Sequence, residues 1–110
     1  MIVRIVKMEF KQEEVNKFKE LFYSIQHKIM SFNGCSGVEL LSSVDSPAIF
    51  FTYSTWKTEQ DLENYRNSDL FKQTWTETKK MFSNKAEAWS LEQIRNEFHL
   101  PLSEADVSQR

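Results

Sequence analysis

Residues 49–56, IFFTYSTW, carry bulky apolar side chains on both faces if they form a strand. Successive strand residues point to opposite sides. Phe50, Thr52 and Trp56 then share one face, and Ile49, Phe51 and Tyr53 the other. The first ten residues, MIVRIVKMEF, repeat the pattern: Ile2, Arg4, Val6 and Met8 oppose Val3, Ile5 and Lys7. In residues 35–45, Val38, Leu40 and Val44 oppose Glu39, Leu41 and Ser43. A sheet with one face in water alternates apolar with polar residues. A chain with such strands must cover both faces.

One cover is legible in the chain itself. From Gln12 the period changes, and Val15, Phe18, Phe22, Ile25 and Ile29 recur every three or four residues. That is the stripe of an amphipathic helix. Glu13 and Glu14 in its first turn and Lys28 near its last suit the helix dipole. Asn33-Gly34 stops it. Asp45-Ser46-Pro47 is a turn, so the strands at 35–45 and 48–56 form a hairpin. Thr58-Glu59-Gln60-Asp61 has the form of a capping box and opens a short helix that carries Leu62 and Tyr65 inward. Asn67-Ser68-Asp69 breaks that helix and caps another. Phe71, Trp75, Thr78 and Phe82 lie on the stripe of this last helix, with Leu70 and Met81 beside it. Residues 86–91 suit a fourth strand. Leu91, Ile94 and Phe98 suggest a short extra element, and residues 103–110 read as a polar, frayed tail.

The order β-α-β-β-α-α-β predicts a ferredoxin-like α+β sandwich, a four-stranded antiparallel sheet with its helices on one face. The length of 110 residues suits one domain, placed at residues 1–102 with the tail at 103–110. The face left uncovered exceeds the ~300–600 Å² of the largest apolar patch on a typical monomer. A second copy is the simplest cover, so a homodimer is expected, with two sheets packed into an α+β barrel.

Composition narrows the function. Aromatic residues make up 14% of the chain, and each ring can bury roughly 150–250 Å². The net charge of -2, with no Lys/Arg cluster, argues against a nucleic-acid partner. No apolar run approaches the ~20 residues of a membrane helix. Arg4 and Lys7 inside the first apolar run mark a strand rather than a signal peptide. With Cys35 the single cysteine, no internal disulfide can form. A cytoplasmic location is the simplest expectation. His27 falls off the helix stripe, His99 lies in the tail, and neither stands at metal spacing with Cys35. Cys35 reads as a small buried hydrophobe more readily than as a redox thiol. Gly34 and Gly37 make no dinucleotide loop.

Three stretches carry a family resemblance. Asn33-Gly34-Cys35-Ser36-Gly37 precedes the second strand, Thr55-Trp56-Lys57-Thr58-Glu59-Gln60 closes the third, and Ser68-Asp69-Leu70-Phe71-Lys72 opens a helix. Together with the element order, they resemble the antibiotic biosynthesis monooxygenase (ABM) family over residues 1 to about 92. The resemblance implies a dimeric α+β barrel. It also implies oxidation of quinone- or polyketide-type molecules without metal or flavin, hence no cofactor, or alternatively haem degradation. Trp56 matches the strand-three Trp of the actinorhodin-type members. Their Asn falls on Thr52 and their helix Tyr on Leu62. The haem-degrading members have an aromatic near Tyr65, but their haem-ligating His falls on Trp75 and their strand-one Asn near Lys7. Each set is incomplete in this chain.

The candidate catalytic residues are Trp56, Tyr65 and Thr52, and the candidate substrate-binding residues are Arg4, Phe71 and Trp75. Each has a plainer role open to it. Trp56 either shields the sheet edge or borders a ligand. Tyr65 orients a substrate oxygen or keeps its hydroxyl in water. Thr52 hydrogen-bonds a ligand carbonyl or fills the strand. Arg4 pairs with a carboxylate at the dimer seam or clamps an anion. Trp75, with Phe71, packs the core or stacks on a ligand. An indole has no lone pair for iron. The function expected is a cofactor-independent monooxygenase acting on a small apolar or aromatic molecule. The alternative is a ligand-binding or interaction module that catalyses nothing, and haem degradation stands last.

Overall fold

The structure is a computed structural model, and it describes residues 1–94. The tail, His99 and Phe98 lie outside the described residues. Seven elements follow in order: β1 (Ile2–Phe10), α1 (Val15–Met30), β2 (Cys35–Ser42), β3 (Ile49–Trp56), α2 (Glu59–Arg66), α3 (Asp69–Lys79) and β4 (Phe82–Glu92). The strands form one antiparallel sheet in the order β2-β3-β1-β4. This is the α+β sandwich expected from the periodicities. β1 and β3, the two strands richest in β-branched and aromatic residues, take the centre, where both neighbours satisfy their backbone groups.

All three helices lie on one face. α1 buries Phe18, Phe22, Ile25 and Ile29, the stripe its spacing set out. Against them the sheet turns Met8 and Phe10 from β1, Phe50 and Trp56 from β3, and Val38 from β2. Thr58 caps α2 by accepting from the Asp61 backbone N–H at 3.1 Å. Ser68 caps α3 in the same way at Phe71 and donates to the Tyr65 carbonyl, so one hydroxyl joins the two helices. Gly34 leaves α1 with a φ of 84°, a left-handed conformation that costs little without a Cβ. A side chain there would also run into the Asp61 carboxylate.

Four boundaries differ from the sequence expectation. The run expected to be helical from Gln12 opens as a 3-10 turn, Gln12–Glu14, before α1 begins. β2 stops at Ser42, and Val44 is 98% exposed in the hairpin loop. The Ser43 hydroxyl accepts from the Asp45 N–H and draws the chain into the turn early. β3 begins at Ile49 rather than residue 48. Phe82, assigned above to the helix stripe, opens β4 instead, four residues earlier than expected. Pairing overrides the weak strand preference of Ser83, Asn84 and Lys85. Phe82 sits opposite Phe10, and the Asn84 side chain donates to Glu9 across a bulge.

The helix-free face follows from the register. Ile5 sits between Tyr53 and Trp89, Val3 between Thr55 and Leu91, and Phe51 between Leu41 and Lys7. In the single chain Leu41, Tyr53, Trp89 and Leu91 are all exposed. They form an oblique apolar band. Lys7, Glu39 and Glu87 interrupt it, and Lys7 and Glu87 approach to 3.9 Å. The face is therefore apolar through its middle and charged at two corners.

Candidate functional site

A cavity of about 460 Å³ lies between the helices and the covered face of the sheet, within the ~300–1,000 Å³ usual for small-molecule sites. β1 and β3 supply its floor with Arg4, Val6, Thr52 and Ser54, and α1 closes one side with Phe18, Phe22 and Ile25. Leu62, Tyr65 and Arg66 of α2 and Phe71 and Trp75 of α3 close the other. Its origin is legible in β4. Ala88 pairs with Val6, and Ala86 lies two residues before it on the same side. These short side chains leave unfilled the space between the sheet edge and α3.

The aromatics of α2 and α3 form a continuous wall. Tyr65 stacks on Trp56 at 5.1 Å between centroids and meets Phe71 edge-on at 5.2 Å. Phe71 stacks on Trp75 at 5.9 Å, and Trp75 meets Phe82 edge-on at 5.6 Å. The Ser68 cap places the start of α3 so that Phe71 follows Tyr65 directly across the break.

Of the candidate residues, Arg4, Thr52, Tyr65, Phe71 and Trp75 all line the cavity. Trp56 does not. It is fully buried behind Tyr65, and its indole N–H donates to the Ser54 hydroxyl at 3.0 Å. It buttresses the wall rather than facing the space. Arg4 points to the helix side of the sheet, away from the open face, and donates to Ser90 at 2.8 Å. Its side chain therefore lies on the cavity side of the sheet. Burial and the nearby Arg66 lower the Arg4 pKa, and Glu63 partly offsets them. Leu62, where actinorhodin-type members have Tyr, is buried and offers no polar atom.

Arg66 was not singled out by sequence. It sits four residues after Leu62, on the same helical stripe, and that spacing is the signal that could have found it. Its guanidinium pairs with Glu63 at 3.0 Å. Its Nε is buried and has no hydrogen-bond partner among the described residues.

Tyr65 is the most perturbed group. Desolvation, with a smaller contribution from Cys35, drives its pKa far above the ordinary 10.0. The phenol is thus a donor at any physiological pH, never a base. A raised folded pKa favours the protonated native state, so the contribution to stability is complete below the ordinary value and falls as pH rises through the folded one. Stability should decline from about pH 10 upward, and Tyr65→Phe should flatten that decline. Urea midpoints at several alkaline pH values would check it; equal slopes for both proteins would count against it. Burial also pushes up the thiol of Cys35, whose S–H lies 3.7 Å from the Gly37 carbonyl.

His27 is exposed. Among the described residues no three His, Cys, Asp or Glu side chains stand together as a metal site, and no helix is long and apolar enough to cross a membrane.

Comparison with known proteins agrees with this fold. The family profile described as antibiotic biosynthesis monooxygenase matches residues 1–76, which run from β1 into α3. A search of curated proteins gives no match. Among solved structures, a candidate antibiotic biosynthesis monooxygenase from Nitrosomonas europaea is 22% identical with a TM-score of 0.78, covering 86% of this chain and all of its own. A conserved protein from Methanosarcina mazei Go1 is 24% identical with a TM-score of 0.78, covering 83% of this chain and 91% of its own. A Deinococcus radiodurans protein, also named as a candidate antibiotic biosynthesis monooxygenase, is 12% identical with a TM-score of 0.84, covering 92% of this chain and all of its own. At these identities the likeness carries the fold. Joined to the family match across most of the described elements, it places the chain in the antibiotic biosynthesis monooxygenase (ABM) family.

Proposed function

We propose that this protein is a cofactor-independent monooxygenase of a small, electron-rich aromatic or quinol-type molecule, held in the cavity between helices and sheet. The observation that carries this is the cavity's lining, an apolar, aromatic-walled space whose polar groups are donors and cations. A phenol bound there is favoured as its anion by Arg4 and by the Tyr65 hydroxyl. The phenolate gives one electron to dioxygen, and the resulting radical pair closes a C–O bond at a hydrogen-bearing ring carbon, para to the oxygen in an anthrol and ortho to it in a quinol. The peroxide takes a proton. Loss of the ring proton from that carbon then expels hydroxide, leaving a quinone and water. Substrate and dioxygen supply every electron. The protein's part is to desolvate the anion, orient it and exclude water. In this reading Thr52, opposite Val6 on the cavity floor, holds a ligand carbonyl.

Oxygen uptake by metal-stripped protein tests this against a panel of anthrols and naphthohydroquinones. We expect one dioxygen consumed per quinone formed, and Tyr65→Phe should lower kcat/KM by about 10²-fold, the loss typical of one removed donor. No uptake across the panel would overturn the proposal. A tight ligand in native mass spectra without uptake would favour the binding module. Haem degradation gains nothing from Trp75, which cannot ligate iron.

A further inference from the structure

We infer that the cavity takes an aromatic ligand bearing a carboxylate, with Arg4 and Arg66 as the paired cations that receive it. The assignment rests on the cavity being the ligand site, as proposed above, and not on the oxygen chemistry.

The charge pattern carries it. Both guanidinium groups border one apolar cavity. One carboxylate is near, and it is engaged: Glu63 pairs with Arg66 at 3.0 Å, while Glu87 turns its side chain to the helix-free face, beside Lys7. Arg4 has no carboxylate within 4.0 Å among the described residues; its contact is the neutral Ser90 hydroxyl. A half-buried guanidinium has five N–H donors and a charge to balance. The Arg66 Nε, buried and unpartnered among the described residues, is a second unmet donor on a residue that lines the same cavity. Burial first, and the nearby Arg66 second, lower the Arg4 pKa, with Glu63 a partial offset, so a bound anion would relieve both. A carboxylate entering between the two groups satisfies both. Guanidinium and carboxylate geometries match, giving short charge-assisted bonds. The Phe71 and Trp75 rings stand on the same wall as Arg66, so a ring attached to the carboxylate has a surface to stack on.

A matched probe pair isolates the charge: 1-naphthoate and its neutral isostere 1-naphthamide, titrated into the intact protein at pH 7 and followed by tryptophan quenching and calorimetry. We expect naphthoate to bind at least about tenfold more tightly, a gap of about 1.4 kcal/mol. Higher salt should narrow the gap. Arg4→Gln and Arg66→Gln should each erase most of the preference while amide binding persists, which shows that the cavity is still folded. Arg66→Lys, which keeps the charge but loses the fork, should retain part of it. Equal affinities, tighter amide binding, or no binding of either probe would overturn the inference. Naphthoate selectivity in a protein that consumes no oxygen with any phenol would leave it standing and remove the monooxygenase proposal instead.

Discussion

Replacing Phe10 with Ala should destabilise the protein by about 3–5 kcal/mol, the range for truncating a buried aromatic. Phe10 is 2% exposed and closes β1 at the junction of all three layers of contact. It stacks on Phe18 of α1 at 4.1 Å and lies 5.9 Å from Phe50 of β3 and 5.3 Å from Phe82 of β4. Truncation leaves a void these rings cannot close, because each is fixed by its own strand or helix. The loss is a large share of the roughly 5–15 kcal/mol by which domains are stable. It should also loosen the cavity wall, since Phe82 is the neighbour of Trp75. Urea unfolding would show the midpoint fall with little change in slope. Tyr23→Ala, at a site 63% exposed, should stay within about 0.5 kcal/mol. A Phe10→Ala loss no larger than that control would show that the rings do not form a rigid core.

Light scattering should give a solution mass twice the 13.1 kDa of one chain, because we propose that two copies pair through the helix-free face. Ile5, Phe51, Tyr53, Trp89 and Leu41 make its apolar band, and the last three are exposed in the single chain. Burying each square ångström of such surface stabilises by roughly 25 cal/mol. A two-fold interface lets the same patch cover itself. Tyr53→Lys with Trp89→Glu should drop the mass to that of one chain. Both side chains lie outside the helix-covered core, so circular dichroism should be little changed. The charged corners, Lys7 with Glu87 and Glu39, suit the rim of such an interface. A concentration-independent monomer in the unmodified protein would end the proposal.

The elements were legible because their signals are local. The α1 stripe, the Thr58 and Ser68 caps and the Asn33-Gly34 stop each work within a few residues, and each stands where the spacing put it. The misplaced edges have a common cause. Phe82 and Val44 were assigned by their own neighbourhoods, but β4 starts where Phe10 offers a partner, and β2 ends where the hairpin loop begins. Strand ends belong to the partner strand as much as to the strand itself.

The site divides along the same line. That Arg4, Thr52, Tyr65, Phe71 and Trp75 bear on one space could be suspected from faces and periods. Trp56 could not be separated from them by sequence. Its neighbour Thr52 shares its face, and only the packing of α2 puts Tyr65 between that indole and the cavity. Apart from its spacing after Leu62, Arg66 carries no sequence signal of its own, because an arginine after a tyrosine on a polar helix looks like any surface cation until the fold sets it on the cavity that Arg4 also lines. By itself the sequence determined an α+β chain whose sheet is apolar on both faces, since side-chain alternation and helical period are properties of neighbouring residues. The tertiary structure alone decided that a cavity exists, that Ala86 and Ala88 leave it open, and that two cations share it. Those outcomes depend on volumes and charges brought together from residues more than eighty positions apart, as with Arg4 and Ser90.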